Sequence, residues 1–442
     1  FAGLILLASA TSRAQVTVRM SVSTGGAQGT QESLAPSISA DGRCVAFVSY
    51  AANLVSGDTN GSGDVFVHDR WTGTTERVSV SDGGAQGNSD CYTPSLSADG
   101  RFVVFSSYAS NFVAGDTNGK LDVFVRDRQS GTTERVSVGA GGIQGNGNSA
   151  ILGPSISADG RYVAFFSDAS NLVVGDTNVH TDVFVRDRQA GTTEFVSIAT
   201  GGAEGNQDSL ASTLSADGRF VVFESRASNL VAGDTNGFLD VFLRDRQAGT
   251  TERVSVDSAG GQGDRDSGDD GMPISNDGRF VAFASAATNL VAGDTNGTWD
   301  VFVRDRSSGT TERVSVGAGG TQGVGDSGLP ITSMSADGRC VAFTSSASNL
   351  VASDTNGSMD AFVHDRQSGT TERVSVSSSG VEANADSNGL SVSADGRYVA
   401  FQSDASNLVA GDSNATRDVF LRDRDTSGFT SLCEPGLAGV SV

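Results

Sequence analysis

One turn, Ser-x-Asp-Gly-Arg, recurs seven times, and that recurrence restricts the chain more than any other feature. Its aspartates are Asp41, Asp99, Asp159, Asp217, Asp277, Asp337 and Asp395, separated by 58, 60, 58, 60, 60 and 58 residues. A period of this size marks a chain built from one supersecondary unit that buries its apolar faces only by packing on copies of itself. In the first copy, residues 36–39 run into the tight turn 40–43, and residues 44–49 (CVAFVS) return as a second strand. A loop containing GDTNG leads to residues 64–69 (DVFVHD), then the turn WTGT and residues 75–81 (TERVSVS). Four short antiparallel strands per copy, joined by Gly-rich turns, predict an all-β, seven-bladed β-propeller rather than a solenoid.

The ends of the chain predict how the ring closes. Residues 18–29 (VRMSVSTGGAQG) match residues 76–87 (ERVSVSDGGAQG) at an offset of 58, so the N-terminal segment is a fourth strand without its first three. The seventh copy supplies those three, over residues 390–393, 398–403 and 418–423. The N-terminal strand is therefore expected to complete the last blade. A rival fourth strand is residues 429–434 (FTSLCE), which Pro435 cuts short.

The domain reading that follows has three parts. Residues 1–14, with the apolar run FAGLILLASA and small residues before Gln15, read as the remnant of a secretory signal. Residues 15–434 are the propeller, and 435–442 a C-terminal tail. No other stretch is long and apolar enough to cross a bilayer as a helix. A net charge of −22 argues against nucleic acid, whose phosphates need a basic footprint, and makes cations plausible partners.

The hairpin S-A-D-G-R-x-V-A-F resembles the S-P-D-G-x-x-I-A-F hairpin of TolB-type, WD-like propeller repeats, and the resemblance spans all seven copies. It implies a periplasmic or extracellular binding scaffold. The amino-terminal domain that precedes the propeller in TolB has no counterpart here, so binding to Pal is not carried over.

Strand order places the GDTNG loops and the Gly-rich GGAQG loops on one rim and the two tight turns on the other. The arginines of R-D-R and T-E-R are expected near the latter, giving an acidic upper rim and a more basic lower one. Within the upper loops the pattern D-T-N-G-x-x-D supplies oxygen ligands at alternating positions, as a hard cation such as Ca²⁺ requires. The sets are Asp58, Asn60 and Asp64; Asp116, Asn118 and Asp122; Asp176, Asn178 and Asp182; Asp234, Asn236 and Asp240; Asp294, Asn296 and Asp300; Asp354, Asn356 and Asp360; and Asp412, Asn414 and Asp418. The pattern is similar to the Asp-rich loops of integrin-type propellers, but is two residues shorter. The competing reading is an Asn-Gly turn braced by Asp, with Asn53 and its equivalents as turn formers.

No catalytic residue is assigned. His68 and His364 replace Arg in a strand, His180 lies in the third loop, and no nucleophile elbow or sialidase Asp-box is present. Cys44 and Cys340 share one repeat position and read as buried apolar fillers, while the pairing of Cys91 and Cys433 stays open. Trp299, in the fifth upper loop, is the ligand-binding candidate. These readings lead to a non-enzymatic scaffold, secreted or at the cell surface, that binds protein or glycan through an acidic rim, with Ca²⁺ ordering and self-association as variants. The alternative is a hydrolase or lyase acting on polysaccharide in the central funnel.

Overall fold

The computed structural model describes residues 15–268 and 271–424. The expected signal segment, the rival strand 429–434, Cys433 and the tail lie outside the described residues. Seven antiparallel sheets are arranged as blades in a ring. In the first, Ser33–Ile38, Cys44–Ser49, Asp64–Asp69 and Thr74–Arg77 pair in sequence order from the innermost strand to the outermost. In the fifth blade the innermost segment joins through the isolated bridges Ser267–Ser285 and Ile274–Val281 instead of a regular strand.

The two middle strands of each blade are apolar on both faces, and this is why the blade needs neighbours. Cys44–Ser49 and Asp64–Asp69 are buried throughout. Phe47 and Phe66 stack at 6.0 Å within the blade, and the equivalent pairs recur around the ring at 5.8–6.1 Å. Each buried Phe contributes on the order of 1.5–3 kcal/mol. The resulting apolar clusters each span two blades. One joins Met20, Ala400, Val419 and Leu421 of the last blade to Ile38, Val45, Phe47 and Phe66 of the first.

The Ser-x-Asp-Gly-Arg turn closes on itself and then locks to the next blade. Asp41 Oδ1 accepts hydrogen bonds from Ser39 Oγ at 2.7 Å and from the Arg43 amide at 2.9 Å. Gly42 has φ +72°, and a Cβ there would sit 2.2 Å from the Tyr398 ring of the neighbouring blade, so only glycine fits. Turn follows turn through backbone hydrogen bonds of 2.8–3.0 Å: Ala40 to Ala98, Ala98 to Ala158, Ala158 to Ala216, Asn276 to Ala336, Ala336 to Ala394, and Ala394 back to Ala40. The aromatic position after Arg packs under the next blade's glycine, and Cys44 and Cys340 fill that same slot against Gly100 and Gly396. Both are buried and free, as is Cys91.

The ring closes as the offset of 58 predicts. Val16–Arg19 pairs antiparallel with Asp418–Asp423, from Val16 opposite Asp423 to Arg19 opposite Phe420. Thr17 Oγ1 donates to the Val376 carbonyl at 2.5 Å. Six blade boundaries carry an ion pair of 2.5–2.8 Å: Arg128–Glu76, Arg188–Glu134, Arg246–Glu194, Arg306–Glu252, Arg366–Glu312 and Arg424–Glu372. At the closing seam Val18 stands at the glutamate position, and Arg70 keeps the packing over an aromatic ring that its equivalents also make, here Tyr398 at 4.3 Å. V18E is therefore expected to supply the missing pair and stabilise the ring by about 0.2–1 kcal/mol, read from urea unfolding midpoints in low salt. An unchanged midpoint would show that Arg70 does not reach the introduced carboxylate.

Candidate functional site

The DTNG loops are built by local hydrogen bonding before any ligand is considered. Asn60 Oδ1 accepts from the Ser62 amide at 3.1 Å, which makes the bend. Its Nδ2 donates to Asp64 Oδ2 at 3.1 Å and to the Gly87 carbonyl at 3.0 Å. Asp64 is fully buried, and its other oxygen accepts from Ser79 Oγ at 2.5 Å. Asn53 ties the loop to its neighbour by accepting from the Thr30 amide at 3.0 Å and donating to the Gln28 carbonyl at 2.8 Å.

A guanidinium lies between the two aspartates of the loop. Arg77 Nη1 is 3.3 Å from both Asp58 Oδ1 and Asp64 Oδ2. Five further blades repeat the arrangement at 3.0–3.4 Å: Arg19 with Asp412 and Asp418, Arg135 with Asp116 and Asp122, Arg253 with Asp234 and Asp240, Arg313 with Asp294 and Asp300, and Arg373 with Asp354 and Asp360. This corrects the expected polarity, in which the T-E-R arginines faced the lower turns. The outer strand is only four residues long and rises from its lower turn, so its terminal Arg77 already stands opposite Phe66, within a side chain's reach of the upper loop. The loop carboxylates of six blades thus carry their own countercation. Among the described residues, no group of three or more His, Cys, Asp or Glu side chains is placed to hold a metal ion.

The third blade departs from this rule. Its outer strand ends in Phe195 instead of arginine, and Phe195 stacks on Phe184 at 5.3 Å. Asp176 Oδ1 and Asp182 Oδ2 are buried without a hydrogen-bond partner. Glu204 stands where five other blades have glutamine, and accepts from the Thr177 and Asn178 amides at 3.2 and 3.1 Å. Burial raises the pKa of Asp176, and Glu204 adds to the effect. Burial likewise pushes Asp182 up to about 6 against the hydrogen bond from Ser197 and the neighbouring Asn178 side-chain amide, with Asp176 and Glu204 adding to the rise.

The remaining sequence-derived residues fall as follows. His68 and His364 are buried in strands with Nδ1 at 2.8 and 2.9 Å from Thr75 and Thr371 hydroxyls, as framework positions. His180 Nδ1 lies 3.1 Å from Asp208. Trp299 is half-buried and its amide donates to Asp326 at 3.0 Å, whereas Trp71, on the opposite rim, is 67% exposed beneath the Arg43 guanidinium. The arginine partners were legible in T-T-E-R as a recurring motif, but their direction was not. The signal for the third blade was the single departure T-T-E-F.

No protein-family sequence model matches the chain, and no curated protein matches it. Solved structures do. The β-propeller domain of the trilobed protease from Pyrococcus furiosus aligns at 11% identity over 89% of this chain and 95% of that one, with a TM-score of 0.54. An oligogalacturonate lyase in complex with manganese aligns at 11% identity over 94% of both chains, also at 0.54. TolB from Acinetobacter baumannii aligns at 14% identity over 75% of this chain, with a TM-score of 0.42, and this chain spans 63% of its length. The likenesses to the protease domain and the lyase show the fold alone. The fold is a β-propeller, as in the Pyrococcus furiosus domain, and among the described residues no helix is long and apolar enough to cross a membrane.

Two outcomes follow from the loop geometry. R77M leaves two buried carboxylates uncompensated and is expected to cost about 3–5 kcal/mol, read by urea unfolding at neutral pH. A cost near zero would place the guanidinium elsewhere. Asp182 has a folded pKa above its unfolded value, so its contribution is fully present below the unfolded value of 3.8 and is lost as pH rises through about 6. The stability of the wild type relative to D182N should therefore fall by roughly 2 kcal/mol between pH 4 and pH 7.

Proposed function

We propose that the chain is a secreted or cell-surface, non-enzymatic propeller scaffold that binds protein or glycan through its upper rim. One observation carries this reading. Each upper loop has a fixed frame, and the two residues just before its last aspartate differ from blade to blade. They are Ser62 and Gly63, Lys120 and Leu121, His180 and Thr181, Phe238 and Leu239, Thr298 and Trp299, Ser358 and Met359, and Thr416 and Arg417. Their backbones are held alike: the Gly63, Leu239, Trp299 and Met359 amides all donate to an aspartate of the next loop at 2.7–3.0 Å. A rigid frame that presents different side chains at equivalent positions suits recognition, because little ordering is left to be lost on binding.

The net charge supports steering of cationic or neutral partners and opposes nucleic acid. Calcium ordering of the rim rests on the donor pattern alone, and in six blades an arginine stands in its place. The expected result is a melting midpoint that EDTA leaves unchanged. A fall on chelation, restored selectively by Ca²⁺, would return the ion to the loops. The funnel-enzyme alternative draws on the fold shared with a lyase, which at this identity says nothing of activity.

The binding reading is tested by screening the intact protein against arrayed glycans and displayed surface proteins, alongside the double variant F238A/W299A. Capture should drop about tenfold or more in the variant while the melting midpoint holds, as for the loss of aromatic anchors. Turnover of a polysaccharide into unsaturated or reducing-end products would replace it with the enzyme reading.

A further inference from the structure

The sixth and third blades make a natural comparison. In the sixth, Arg373 is held by Asp354 at 3.4 Å, Asp360 at 3.1 Å and Glu382 at 2.8 Å. The third blade keeps all three carboxylates, as Asp176, Asp182 and Glu204, and replaces the arginine with Phe195. Three acids thus remain of a four-member cluster, and its only cation is gone. Asp182 is fully buried, yet its Oδ2 has no partner, nor does Asp176 Oδ1. A buried carboxylate oxygen left without a donor is costly, and in the other six blades the oxygen corresponding to Asp182 Oδ2 is met by both the loop asparagine and a guanidinium.

The surface opens beside the cluster, at Glu204, the one of the three carboxylates that lines the opening. A cavity of about 570 Å³ runs along the outer strand of the third blade, and its wall includes Val174, Thr193, Phe195, Ile198 and Glu204. The corresponding groove of the second blade, where Arg135 is present, measures about 430 Å³, and its lining stops at Thr133, short of the arginine. Phe195 and Glu204, which both differ from the commonest residue at their repeat positions, are in the wall of the larger cavity, as are the further departures Val174 and Ile198. Val174, fully exposed at its mouth, stands where most other blades have alanine.

We propose that Asp176, Asp182 and Glu204 form a receptor for a guanidinium carried on an aliphatic stem, which enters by this cavity and takes the place of the missing arginine. The head is received as Arg373 is in the sixth blade. Val174, Phe195 and Ile198 provide apolar surface for the stem, and Phe195 adds a ring face for the cation. An arginine side chain on a partner protein and a free alkylguanidine share this chemistry.

Thermal melts of the intact protein at neutral pH and matched ionic strength test it, with agmatine, a blocked arginine dipeptide and Ca²⁺ as separate probes. Agmatine or the dipeptide at saturation is expected to raise the midpoint by about 3 °C in the wild type. The shift should vanish in F195R, which restores the internal arginine and should melt no lower than the wild type without ligand. D176N is the second variant, and should weaken binding at least tenfold. Binding of the dipeptide at least as tightly as agmatine points to a protein side chain, and the reverse order to a small molecule. No shift with either guanidine, or a shift that survives in F195R, overturns the proposal. So does a Ca²⁺ shift abolished by F195R without any response to the guanidines, which would make the cluster a metal site.

Discussion

A blade of this protein is a sheet whose two middle strands are apolar on both faces, and everything else in the molecule answers that constraint. The Phe47–Phe66 pair and its repeats leave no solvent-facing side on the inner half of the sheet. A lone blade would expose both faces, and an open row would expose one at each end. A closed ring leaves none. Closure then requires that the first and last blades become neighbours, and the chain achieves it by lending its N-terminal strand to the last blade. The hydrogen bonds from turn to turn, ending with Ala394 donating to Ala40, follow from the same geometry.

Charge is arranged to fit this apolar frame. Each blade buries an aspartate at the start of its third strand, exemplified by Asp64, whose oxygens are met by Ser79, Asn60 and Arg77. In six blades such a carboxylate is offset by the donors around it, and the arginine that neutralises it comes from the adjacent strand of the same blade; Asp182 of the third blade is the exception. The second arginine of R-D-R serves a different purpose. It crosses to the glutamate of the preceding blade, as Arg128 does to Glu76, so one motif neutralises within a blade and the other fastens blade to blade. The net charge of −22 therefore overstates the acidity of the upper rim, since the conserved-looking loop aspartates are compensated internally.

The fold was legible because its evidence is repetition: the Ser-x-Asp-Gly-Arg spacing counts the blades, and the match of residues 18–29 to 76–87 identifies the closing strand. The slot shared by Cys44 and Cys340 was legible for the same reason. The direction of a long side chain was not. Arg77 follows Glu76 in sequence, yet Glu76 meets the next blade's Arg128 while Arg77 turns back to Asp58, because successive residues of a strand point to opposite faces. A donor pattern such as D-T-N-G-x-x-D cannot distinguish a metal from a guanidinium, since both want converging oxygens. In the first blade the group that meets those oxygens is the Arg77 guanidinium.

Repetition also hides information, because a reader who aligns the copies sees the consensus first. The chemically distinctive place is where one copy breaks it. T-T-E-F for T-T-E-R is a single substitution in the outer strand, and in the consensus it looks like drift. Placed in the blade it removes the cation from a cluster of three carboxylates while leaving their backbone supports intact. A protein of seven similar blades has no asymmetric centre by construction, so asymmetry must come from such departures. Phe195 and Glu204 are two departures in one blade, and both stand in the wall of one cavity. That coincidence, rather than any feature the blades share, gives the ring a distinguishable side.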